Sequence, residues 1–84
     1  SRVTIKDTTS RWGSCSTSGA LSFSWRLIFA PKNVMEYVVV HELCHLIEMN
    51  HSYRFWQLVG KIYPSYSAAR LWLKKHGKIL HQII

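Results

Sequence analysis

NVMEYVVVHELCHLIEMNH, residues 33 to 51, is the stretch on which the reading of this chain turns. Val34, Met35, Val38, Val39, Val40, Leu43, Leu46, Ile47 and Met49 make it apolar almost all round, which predicts a central buried helix. Pro31 suits the first turn of such a helix, because its fixed φ is helical and it lacks the N–H that turn would leave unpaired. The helix is expected from about Lys32 to Met49, with Asn50 as a left-handed terminator. Ionisable groups are costly in so apolar a segment unless they have partners. His41, Glu42 and His45 nevertheless occupy its middle, in the order His-Glu-x-x-His.

On a helix advancing about 100° per residue, His41 and His45 lie about 40° apart and one turn along the axis, so both imidazoles face one point. Two nitrogens can therefore share one metal ion. Glu42 projects onto the flank of the same face, placed to take a proton from an attacking water rather than to bind the ion. That is the arrangement metal-assisted hydrolysis requires. A zinc site of this kind needs a third protein ligand and one open position. Glu48, three residues after His45, could ligate directly or orient His45 from behind. His51 could be swung onto the ion by the break at Asn50, and it is the preferred candidate because imidazole is the commoner partner of zinc.

Outward from this helix, Ser52 is a fitting N-cap for a second one, in which Phe55, Trp56, Leu58, Val59 and Ile62 recur at helical spacing until Pro64. A third is expected from about Ser67 to His76, ended by Gly77. Toward the N-terminus the period changes to two. Val3 and Ile5 alternate with Thr4 and Lys6, and Leu21, Phe23, Trp25 and Leu27 alternate with Ser22, Ser24 and Arg26. The turn-forming run Ser16-Thr17-Ser18-Gly19 can fold Arg11 to Cys15 back on Leu21 to Leu27 as a hairpin. The fold class is thus α+β, with about three antiparallel strands packed on the central metal-binding helix plus two further helices.

With 84 residues the chain has room for one core, and residues 1–84 are read as a single domain. A hydrophobic fraction of 48% excludes intrinsic disorder, and no run reaches the ~20 apolar residues of a bilayer span. No signal pattern opens the chain, and two cysteines are too few for a disulfide scaffold, so a reducing, cytoplasmic setting is expected. Cys44 reads as core filler. Trp25, Trp56 and Trp72 read the same way, as large side chains a small domain needs. Eleven Lys and Arg against four acids give a net charge of +7. Lys61, Arg70, Lys74, Lys75 and Lys78 concentrate the excess in one C-terminal region, where DNA contact is the expectation to weigh against a merely solvated face.

The sequence His41 to Trp56, preceded by Arg11-Trp12-Gly13-Ser14-Cys15 and by Trp25-Arg26-Leu27, resembles the YgjP-like metallopeptidase domain. That group is related to the SprT-like and WLM proteases of the zincin clan, and relatives of the SprT type act at DNA. The resemblance runs from Arg11 to about Gly77. It implies a zincin-like fold, zinc held by His41, His45 and His51, and Glu42 as general base. It also implies that the edge strand carrying Arg11, Trp12, Gly13, Ser14 and Cys15 lies along the cleft and binds an extended peptide or protein substrate. Because full-length relatives are longer, the chain is expected to be the C-terminal catalytic portion of a larger protein. Tyr53, Tyr66, His76 and Arg11 are all candidates for stabilising the oxyanion. Two functions are thereby set against each other: a zinc-dependent metallopeptidase, and a basic nucleic-acid-associated module whose metal is structural. A fourth protein ligand, with Glu48 as the residue to watch, would favour the second.

Overall fold

The computed structural model describes residues 3–6 and 12–83, with backbone alone beyond His76. Strand β1 spans Val3–Lys6, β2 Gly13–Cys15 and β3 Leu21–Ser24. A 3₁₀ segment, Trp25–Phe29, leads into α1, Lys32–Cys44, followed by α2, Tyr53–Ile62, and α3, Tyr66–Ile83.

The β2–β3 hairpin is antiparallel in the register Gly13↔Phe23, Ser14↔Ser22 and Cys15↔Leu21. Its loop closes through Ser16, whose N–H donates to the Ala20 carbonyl at 2.9 Å while its hydroxyl accepts from the Ala20 N–H at 3.0 Å. Gly19 turns that corner at φ 87°, a left-handed value a side chain would oppose. The sheet order is β1-β3-β2, and β1 pairs with β3 in parallel, Val3 opposite Leu21 and Lys6 opposite Ser24. The sheet is therefore mixed, where three antiparallel strands were expected. Parallel neighbours ordinarily require a long crossover. Here β2 itself carries the chain back, and β3 is inserted between the two earlier strands. Val3 and Ile5, expected on a buried face, are 62% and 63% exposed.

A second departure follows directly. The alternation through Trp25 and Leu27 suggests one long strand, yet β3 ends at Ser24. The Ser24 hydroxyl accepts from the Arg26 N–H at 3.2 Å, and this cap turns the chain into the 3₁₀ segment. Leu27 still reaches the core, which it shares with Leu21, Phe23, Val34, Tyr37, Val38, Cys44, Phe55, Val59 and Ala69.

Helix α1 lies across this core and contacts β2, β3, α2 and α3. It is not buried all round: Met35, Val39 and Leu43 are 36%, 37% and 45% exposed along one side. It also stops at Cys44, five residues before the expected end. His45, Leu46 and Ile47 each donate to the carbonyl three residues back, at 3.0 to 3.2 Å, which tightens the helix into a turn and lets the chain double back. Helix α3 shows the opposite error, continuing past Gly77 to Ile83. A glycine inside a helix costs about 1 kcal/mol, a bias that longer helical context overrides.

Candidate metal centre

His41 projects from the last turn of α1 and His45 from its C-cap, and the early end of that helix brings His51 back to meet them. The three Nε2 atoms form a near-equilateral triangle, 3.3 Å between His41 and His45, 3.1 Å between His45 and His51, and 3.2 Å between His51 and His41. The centre of that triangle lies about 1.9 Å from each nitrogen, just inside the ~2.0–2.1 Å of a zinc–imidazole bond.

The opposite ring nitrogens decide what those Nε2 atoms carry. His45 Nδ1 lies 3.0 Å from the backbone carbonyl of Glu48. A carbonyl can only accept, so His45 Nδ1 holds the hydrogen and Nε2 presents a bare lone pair. His41 Nδ1 is 3.0 Å from the Tyr37 hydroxyl, one helical turn back on the same face. Burial, reinforced by His45, His51 and Arg70, pushes His41 down to about 4. His51 is lowered by the same kinds of cause, burial first, then His45 and Arg70. Three ring nitrogens converging at about 3 Å, with the His45 Nε2 lone pair among them, make a donor set that fits a divalent metal.

Aromatic side chains from α2 hold the rings in place. Phe55, fully buried, stacks on His45 at 4.3 Å and 21° and meets His41 and His51 edge-on at 4.9 and 5.0 Å. Trp56 lies nearly parallel to His51 at 6.0 Å. On the outer side Trp56 carries the Arg70 guanidinium, 4.2 Å from its centroid. Trp56 was expected in the core alone. Phe55, Trp56, Tyr37 and Arg70 all surround the centre without having been singled out for it.

Glu42 is 6% exposed and lies beside β2. A Cβ built on Gly13 would fall 3.0 Å from Glu42 Cγ and 3.2 Å from its Oε2. The carboxylate therefore occupies space that any other residue at 13 would take. Gly13, Ser14 and Cys15 form one wall of a cleft of about 380 Å³ whose floor is His41, Glu42 and His45, with Met49 and His51 opposite. In β2 the Ser24 N–H donates to the Trp12 carbonyl and the Ser16 N–H to the Ala20 carbonyl, both at 2.9 Å. Bonded pairs alternate along an antiparallel ladder, so Gly13 and Cys15 turn their own N–H and C=O groups away from β3, toward the open edge.

The remaining sequence candidates divide cleanly. Among the described residues His41, His45 and His51 are the grouped metal-binding side chains; the Glu48 carboxylate is not with them, and its residue acts through the backbone. Trp12 borders a second cavity next to Glu42. Arg11 lies outside the described residues. Tyr53 is 77% exposed and accepts from Gln57, Tyr66 stacks on Trp56, and His76 tilts over Trp72, so none of these three lines the cleft. The Cys15 thiol is raised by burial and by the Glu42 charge, and the buried Cys44 thiol by burial alone.

Three convergent imidazoles, two from the C-terminal end of one helix and one from the segment that follows it, with a neighbouring carboxylate on that helix, mark this α+β domain as a metal-binding domain of the peptidase type. The chain belongs to the YgjP-like metallopeptidase domain family, whose family model matches residues 1–76. Comparison with curated proteins and with solved structures gave no match. Among the described residues no helix is long and apolar enough to cross a membrane.

Proposed function

We propose that this domain is a zinc-dependent metallopeptidase that hydrolyses peptide bonds in an extended substrate lying along β2. The observation that carries the reading is the position of Glu42, between three metal-facing imidazoles and the open edge of a strand. Zinc, when bound by His41, His45 and His51, supplies the positive charge that polarises the scissile carbonyl and acidifies water. Glu42 takes the proton of the attacking water and passes it to the departing amine. The outward main-chain groups of Gly13 and Cys15 pair with the substrate backbone and hold the scissile bond over the floor of the cleft. Phe55 and Trp56 shield the histidines from behind. The free thiols of Cys15 and Cys44 suit a reducing, cytoplasmic setting.

A structural metal site would need a fourth protein ligand, and the described residues group only three. DNA contact is an accessory reading, favoured by the exposed Arg70, Lys74 and Lys75 along α3; association that weakens as salt rises supports it, and no association at low salt removes it. The decisive experiment on the main reading is Glu42→Gln. The variant is expected to retain about one zinc per chain and to lose peptidase activity by ~100-fold or more. Undiminished cleavage, or loss of the zinc, would overturn the assignment of Glu42 as base.

A further inference from the structure

Resting on the hydrolytic reading, we infer that the cavity walled by Trp12, Tyr37, Val38 and Leu73 receives an apolar side chain of the substrate, from a residue flanking the scissile bond. This cavity of about 270 Å³ lies between β2, α1 and α3 and shares Gly13, His41 and Glu42 with the metal-site cleft. The two spaces meet at the groups assigned to the chemistry. A side chain entering it therefore belongs to a residue next to the reacting carbonyl.

Size and surface set the class of that residue. Sites for whole small molecules run from about 300 to 1,000 Å³, so a cavity of about 270 Å³ suits one large side chain. Its walls are an indole, a phenol ring, a valine and a leucine. The Tyr37 hydroxyl is engaged by His41. An acidic side chain would face the Glu42 charge, and a basic one would tie up the carboxylate assigned to proton transfer while burying its stem against Trp12, Val38 and Leu73, so an apolar side chain matches this lining best. Leucine and phenylalanine fit best. The strand edge supplies the approach: a peptide paired with Gly13 and Cys15 points alternate side chains to opposite faces, so the same residues on one side of the peptide are offered to this cavity whatever their neighbours.

The test has a binding arm and a cleavage arm. The zinc-loaded protein is titrated with N-acetyl-leucinamide and with N-acetyl-glycinamide while the Trp12 indole N–H and Leu73 methyl resonances are followed. Saturable shifts with the leucine compound, absent with the glycine compound and lost in Leu73→Trp, are expected. Equal shifts with both, or shifts that survive Leu73→Trp, would overturn the pocket. In the cleavage arm, zinc-loaded protein acts on peptides differing only beside the cut. Leucine or phenylalanine is expected to exceed alanine in kcat/KM by ~10-fold or more at one flanking position. Leu73→Trp should erase that preference and Leu73→Ala should move it toward phenylalanine, with zinc content showing that each variant is folded. Selective leucinamide shifts without cleavage of any peptide would sink the hydrolytic reading and leave the pocket standing. Cleavage with flat preference and no selective shift would do the reverse.

Discussion

The two sides of α1 are built from the same kinds of residue and have opposite fates. One carries Val34, Tyr37 and Val38 into the core and sets His41, Glu42 and His45 over the cleft. The other carries Met35, Val39 and Leu43, equally apolar, and leaves them partly in water. Hydrophobicity alone does not separate them. What differs is what the side chains meet: on the side where β2, α2 and α3 pack, the two imidazoles find the Tyr37 phenol, the Glu48 carbonyl and the Phe55 ring, and the Glu42 carboxylate lies against Gly13.

The contrast can be broken most severely at His45. His45→Ala removes one of three nitrogens and the ring on which Phe55 stacks, so zinc affinity is expected to fall by more than ~100-fold, beyond the effect of losing an outer partner. Zinc retained at full stoichiometry after gel filtration would contradict the triangle. Tyr37→Phe sharpens the contrast at a smaller scale. It keeps the ring in the core but removes the hydrogen-bond partner of His41 Nδ1, and competition with a chromophoric chelator is expected to show zinc bound about 10-fold more weakly. On the other side of the same helix Val39→Gln should shift stability by no more than about 0.5 kcal/mol in denaturant unfolding and leave zinc binding unchanged. A loss of 2 kcal/mol or more there, well outside the usual range for surface positions, would mean that this side is covered in solution.

The parts of the molecule open to sequence reading were those governed by local geometry. His41 and His45 converge because helical spacing alone dictates it, and the hairpin loop is written in Ser16 to Gly19. His51 was reached through an expected break at Asn50; the helix in fact gives way from Cys44, and the tightened turns at His45 to Ile47 are set by backbone bonding with no residue signature. The parallel pairing of β1 with β3 depends on which side of β3 the first strand falls, a non-local choice that alternation cannot encode. Tyr37 was within reach, since it stands four residues before His41 on one helix face. Phe55 and Trp56 were legible as helical apolar residues, but the rings they support lie on other segments. Gly13 was expected to touch substrate as part of the edge strand. Its closeness to Glu42 emerges only when α1 and β2 are packed together.

Glu48 was considered for its side chain, and the structure uses its carbonyl oxygen instead. Every amino acid brings that oxygen, so the hold on His45 is indifferent to what is encoded at position 48. This contact asks nothing of the side chain at 48 and everything of the turn that delivers the carbonyl. One of the supports of this metal centre is thus inherited as a path of the main chain, and a search for it by comparing side chains alone would pass it over.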